Sequence, residues 1–148
     1  RFINVGGIEP PGLSAAPAIA KYVAELFAEK AAPQKKADFN GSRPAPVRFR
    51  NMTKEEREKL IAKDKRYGRI ICRCETITEG EILDAIHAPV GARDVDGVKR
   101  RTRAGMGRCQ GGFCGSKVVD ILSKELGVPM NEITKFGGES KIIFDRTK

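Results

Sequence analysis

The chain has no tryptophan and a single histidine, His87. One imidazole, with no nucleophile and carboxylate arranged around it, leaves no Ser–His–Asp set. A carboxylate dyad, a phosphate loop and the G-x-G-x-x-G of a dinucleotide site are also missing. The chain alone is therefore expected to catalyse nothing. No apolar run approaches the roughly 20 residues that span a bilayer, and no secretory signal pattern is visible. Cysteine is scarce: four residues, fewer and more clustered than in the disulfide framework of a small secreted domain. The C-x-x-C of a redox dithiol is absent.

Hydrophobic residues make up 40% of the 148, so the core is expected to be modest and a metal centre would add stability. Charged residues make up 32%, and the formal net charge is +9. That balance calls for an anion: an acidic protein, a membrane surface, nucleic acid or an anionic cofactor. The chain begins at Arg1, inside an apolar, glycine-rich phrase, and reads as a piece of a longer protein.

The four cysteines fall in two hooks, Cys72-Arg73-Cys74 and Cys109-Gln110-Gly111-Gly112-Phe113-Cys114. Each hook is expected at a turn that opens onto a helix start, where the dipole favours negative charge. Four thiolates brought together would suit a [2Fe–2S] cluster, whose irons take two thiolates each. The same donors would suit a structural zinc, although C-x-C is uncommon there. Two disulfides are a further alternative. A Cys₄ cluster carries a formal charge of about −2, and about −3 once reduced, and the run Lys99, Arg100, Arg101, Arg103 and Arg108 could offset it. Gly107, Gly111 and Gly112 would shape the loop and let backbone N–H groups turn inward. The basic run could instead mark nucleic-acid binding, but no stacking aromatics interleave it; nucleic acid is not expected as a partner.

Along the chain, an apolar strand-like run opens residues 1–13 and two glycines and two prolines turn it. Ser14 is the expected cap of a helix carrying Ile19, Val23, Leu26 and Phe27. Residues 31–52 read as a Pro-rich linker. Thr53-Lys54-Glu55-Glu56 and Thr78-Glu79-Gly80-Glu81 are capping boxes; the first helix is expected to run to about Tyr67. Asp96 is the expected cap of a short basic helix ending near Gly105. Val118, Val119, Ile121, Leu122 and Leu126 mark another, stopped by Gly127. Ser140 to Phe144 reads as a short strand, and His87 as a helix-end or surface residue. The fold class is mainly α: a small helical domain over 53–148, a strand–turn–helix over 1–30, and the linker between.

Two resemblances sharpen this reading. Asn4-Val5-Gly6-Gly7-Ile8-Glu9-Pro10-Pro11-Gly12-Leu13-Ser14-Ala15-Ala16-Pro17 resembles the C-terminal phrase of the FAD domain in D-amino-acid-oxidase-like flavoproteins. It implies that Gly7, Ile8, Gly12, Leu13 and Ser14 face the flavin in a full-length parent. Without the dinucleotide-binding strand, the chain is expected not to hold FAD alone. From Ile71 onward, the two hooks, Thr78-Glu79-Gly80-Glu81-Ile82, Asp96-Gly97-Val98-Lys99 and Gly105-Met106-Gly107-Arg108 resemble the bacterioferritin-associated-ferredoxin-like [2Fe–2S] domain. The version fused behind the FAD domain of glycerol-3-phosphate dehydrogenase-like oxidoreductases is the most similar.

The resemblance implies Cys72, Cys74, Cys109 and Cys114 as ligands of a [2Fe–2S] cluster, with Arg108 tuning its charge. A recombinant preparation could carry zinc. The implied role is electron relay from flavin to an acceptor; the alternative is a zinc-stapled interaction domain without redox function. Implied partners are the FAD domain of the parent chain and a redox acceptor protein or membrane electron carrier. The expected location is the cytoplasm, or the membrane periphery within a parent complex.

Overall fold

A computed structural model of the chain describes residues 2–145. Arg1 and residues 146–148, the ends of the expected 1–30 and 53–148 segments, lie outside the described residues. The chain divides into two compact units, 1–43 and 44–148.

The first unit is one long helix, α1 (Gly12–Ala31), preceded by a turn. The expected strand does not form: residues 2–8 have no sheet partner, and an isolated strand has nothing to satisfy its backbone. Nor is Ser14 the cap. The cap lies three residues earlier, at Pro11, and the Ser14 hydroxyl donates back to the Pro11 carbonyl. Pro17 then sits inside the helix and not in its first turn. Ala32 closes it in the left-handed region, with its N–H on Ala28 O. No residue of α1 is buried.

The second unit holds four helices, α2 (Lys54–Lys63), α3 (Glu79–His87), α4 (Val95–Thr102) and α5 (Gly115–Leu126), among its described residues. A two-stranded antiparallel hairpin, β1 (Ile70–Cys72) and β2 (Ile77–Thr78), precedes α3. Helices α3, α4 and α5 pack on one another, burying Ile82, Ile86, Val98 and Leu122 completely or nearly so. The 3/4 spacing of Ile82, Leu83 and Ile86 on α3, and of Val118, Ile121 and Leu122 on α5, supplies these faces. Ile133 closes the far side. His87 Nε2 meets Glu125 Oε2 at 2.6 Å and ties the end of α3 to α5.

Both capping boxes form. The first helix ends at Lys63, earlier than expected; Asp64 turns the chain and caps a separate 3-10 turn, Lys65–Gly68. Asp94, not Asp96, caps α4: its extended backbone lets the carboxylate accept the Gly97 N–H, while Asp96 lies in the first turn. The helix ends at Thr102, with Arg103 left-handed. Where a strand was expected near 140–144, Lys141 makes one bridge to Thr134.

Within the expected 31–52 linker, residues Phe49–Asn51 form a 3-10 turn. Phe49 is buried, its ring under the Arg57 guanidinium, and its N–H donates to Glu81 Oε1 at 3.2 Å. The other oxygen of Glu81 receives the N–H and hydroxyl of Thr78, each at 2.9 Å. One nearly fully buried carboxylate thus fastens the 49–51 turn to the start of α3. No helix among the described residues is long and apolar enough to cross a membrane.

Glu81→Ala would strand the N–H groups of Phe49 and Thr78. The expected cost is about 3 kcal/mol, the sum of two lost buried acceptors. Glu81→Gln keeps an acceptor oxygen and should lose less. Urea unfolding of the three proteins side by side measures the difference.

Candidate metal centre

The first hook lies on a hairpin. Cys72 ends β1, opposite Ile77, and is buried. The tight connection over 73–76, with Thr76 left-handed, carries Cys74 out to the surface. Contrary to expectation, this hook does not open directly on a helix. β2 intervenes, and the Glu81 N–H at the start of α3 is taken by Thr78 Oγ1.

The second hook does open on a helix. Cys114 is the N-cap of α5 and makes no side-chain capping bond. Before it, Gln110 and Gly111 are both left-handed, at φ 47° and 86°, which coils the 109–114 loop back on itself. Gly112 N–H closes on Cys109 O and Gly115 N–H on Gly111 O. The backbone N–H of Phe113, with those of Gly111 and Gly112, is directed at the Cys109 sulfur and holds that thiol below its ordinary value. Cys114 goes the other way, pushed up to about 11 by burial and by the neighbouring Cys72.

The hooks meet. Cys74 Sγ and Cys109 Sγ are 3.5 Å apart, and Cys72 lies close enough to Cys114 to help hold its thiol protonated. Each close pair therefore takes one sulfur from each hook. One pair, Cys72 and Cys114, is buried; the other, Cys74 and Cys109, reaches solvent. All four line one cavity of about 450 Å³, together with Ile71, Arg73, Phe113 and Lys117.

Gly107 makes the meeting possible. A Cβ there would lie 2.2 Å from the Cys74 Cβ, far inside any van der Waals contact. Glu75 fixes the same hairpin from the other side, accepting from Arg103 Nε at 2.8 Å and Arg50 Nη1 at 3.0 Å. Arg103 and Arg50 hold its carboxyl below the usual carboxylate range. The basic run is thus partly committed elsewhere. Arg101 donates to the carbonyls of Val90 and Gly97, and Arg103 serves Glu75.

Three residues at the cavity were given no role from the sequence: Arg73 and Phe113, which lie within the hooks, and Lys117. Arg73 stands between two cysteines, and Lys117 follows Cys114 by one helical turn, so both positions were readable. The flavin-facing candidates lie in the first unit. Gly7 is left-handed, and Gly7 and Gly12 have open space where a side chain would project. Ile8 is half-buried, Leu13 is exposed, and Ser14 lies in the first turn of α1. A separate cavity of about 1080 Å³ runs along α1 between Val23 and Phe27 on the helix and Phe2 and Ile3 before it.

Residues 70–124 match the family described as the BFD-like [2Fe-2S] binding domain. Over 148 residues the chain is 57% identical to a glycerol 3-phosphate dehydrogenase of Caloramator mitchellensis, covering 99% of this chain and 31% of that protein. Hydrogen cyanide synthase subunit HcnB of Pseudomonas aeruginosa is 47% identical over 58 residues, 39% of this chain and 12% of the relative. An Escherichia coli K12 subunit of anaerobic glycerol-3-phosphate dehydrogenase is 28% identical over 85 residues, 56% of this chain and 16% of the relative. The chain thus spans less than a third of the length of each of these three relatives. No solved structure matches it. The four-thiol cavity falls within the segment that matches the BFD-like [2Fe-2S] binding domain.

Proposed function

We propose that the chain is the one-electron relay of a flavin-dependent dehydrogenase, with Cys72, Cys74, Cys109 and Cys114 holding a [2Fe–2S] cluster. The observation that carries this is the pairing of the sulfurs across the hooks around one cavity. Two pairs of thiolates match the needs of two irons. A single zinc needs its four ligands around one point. The match of residues 70–124 to the BFD-like [2Fe-2S] binding domain favours the cluster over the zinc-stapled alternative.

Bound in this cavity, the cluster supplies reversible one-electron chemistry. The chain's own residues set the terms. The N–H groups around Cys109 stabilise a thiolate on the exposed side. Cys114, at the N-terminus of α5, gains from the helix dipole once it has lost its proton to metal. Gly107 and Glu75 keep the hairpin against the second hook.

The glycerol 3-phosphate dehydrogenase relative supports a parent that oxidises a substrate such as glycerol 3-phosphate or a 2-hydroxy acid by two electrons at FAD. In that parent Gly7, Ile8, Gly12, Leu13 and Ser14 would meet the flavin edge, and the electrons would pass singly to a redox acceptor protein or membrane carrier.

Anaerobic reconstitution should yield about two irons and two acid-labile sulfides per chain, and one-electron reduction should give a spin-half electron-paramagnetic-resonance signal. One zinc per native chain with no sulfide would overturn the reading. In the same assay Gly107→Ala should cut iron uptake several-fold, because the new methyl displaces Cys74. Gly115→Ala meets nothing within 4 Å and should load as the parent does. Equal loading of both variants would mean that the close approach at Gly107 is dispensable.

A further inference from the structure

The mouth of the four-thiol cavity carries features that holding a cluster does not require. Phe113 is 82% exposed, although it sits one residue before the buried Cys114. Aromatic side chains exposed to this degree beside a functional group are a common anchor of protein contacts. Arg73 and Lys117 line the same cavity, and Arg108 directly precedes Cys109; all three are exposed. Among the described residues no carboxylate pairs with any of them, whereas Glu75, Asp94, Asp96 and Asp120 are each engaged by other cations. Glu75 itself is shared by two arginines, so that group is cationic on balance. Together these charges exceed the formal charge of about −2 on an oxidised Cys₄ cluster. The rim therefore stays positive with the site filled. The sulfurs that reach solvent here are Cys74 and Cys109; Cys72 and Cys114 lie behind them.

We infer that this rim, Phe113 with Arg73 and Lys117 at the cavity and Arg108 beside Cys109 in the chain, is the docking face for an acidic one-electron carrier protein, which exchanges electrons on the Cys74/Cys109 side. The inference rests on the cluster reading above and names the partner of that site. The step is a bare electron transfer: the cluster loses one electron, the carrier's redox group gains it, and no bond or proton moves. Charge complementarity selects an acidic surface and speeds encounter. Phe113 supplies the apolar contact that holds the docked pair once salt has screened the charges. A nucleic acid would need stacking groups interleaved with the cations, and Phe113 stands alone among them.

The test uses the full reconstituted chain, reduced anaerobically and mixed with two ferric haem proteins: acidic cytochrome b5 and basic cytochrome c. Haem absorbance follows the transfer. With cytochrome b5 the rate should fall about tenfold or more as ionic strength rises from about 10 to about 300 mM, the span over which steering is screened. With cytochrome c it should rise. Arg73→Glu and Lys117→Glu should each slow the low-salt reaction with cytochrome b5 several-fold. Lys124→Glu makes the same change in net charge about 10 Å further along α5, and should leave the rate near that of the parent. Phe113→Ala should slow cytochrome b5 at high salt as well. The electron-paramagnetic-resonance signal of each variant checks that its cluster is intact. The docking face is overturned if the cytochrome b5 rate is indifferent to salt, or if Lys124→Glu matters as much as Lys117→Glu. It is also overturned if Phe113 and Lys117 instead govern sedimentation with anionic phosphatidylglycerol vesicles and leave the haem reactions untouched. Failure to take up iron and sulfide is a separate result, and sinks the cluster reading itself.

Discussion

Everything at this site depends on one steric fact: two stretches of backbone, far apart in sequence, must approach until their cysteine sulfurs touch. The hairpin tip brings Cys74, and the glycine-rich loop brings Cys109. Contact is possible because residue 107 has no side chain. The rest of the second unit can be understood as holding those two pieces in register. The Thr78–Glu81 box and the buried Glu81–Phe49 bond anchor the hairpin's exit to α3. The two-arginine grip on Glu75 anchors its tip to the 49–51 turn and to the end of α4. Packing among α3, α4 and α5 sets the distance between the hooks, because one hook leads through β2 into α3 and the other directly into α5.

The two sulfur pairs live in different electrostatic surroundings. Burial makes Cys114 a reluctant acid, and the neighbouring Cys72 compounds this. The inward N–H groups make Cys109 a willing one. A bound metal must therefore do more work to deprotonate Cys114, and affinity is coupled to pH through that sulfur. Cys109 gains less from shielding and more from hydrogen bonds. A cluster held by these four sulfurs would draw on two buried ligands and two that reach solvent, an asymmetry that follows from where each hook enters the fold.

Legibility in the sequence followed the range of the interaction. The spacing of the cysteines, the Thr53–Glu56 and Thr78–Glu81 boxes and the apolar stripes of α3 and α5 were readable because each is satisfied within a few residues. The cap of α4 was misjudged by two positions because Asp94 and Asp96 carry the same chemistry, and only the backbone angle decides which one caps. The hairpin went unread because β1 and β2 are very short and pair across the cysteines, so no period-2 pattern has room to emerge. Glu75 and its arginines were invisible for a different reason: Arg50, Glu75 and Arg103 are joined only by tertiary structure. The basic run looked like uniform compensation for a cluster; in the fold, Arg101 caps carbonyls and Arg103 braces a hairpin.

The first unit poses the opposite problem to the second. In the second unit apolar side chains find one another, and Ile82, Val98 and Leu122 disappear from solvent. In the first, twenty consecutive helical residues bury none of their number, while Phe27 and Val23 border an apolar cavity. An isolated helix of this length is at best marginal in water, and Pro17 removes one of its internal hydrogen bonds. A helix with that composition is stable when its apolar stripe is covered. The similarity to the glycerol 3-phosphate dehydrogenase runs through this stretch too, and that relative is more than three times as long. The proposed flavin domain would satisfy the stripe of α1 and give the turn at Gly7 and Gly12 something to approach. On that view one physical need, the covering of an exposed apolar helix, and one chemical need, a source of electrons, are met by the same piece of protein.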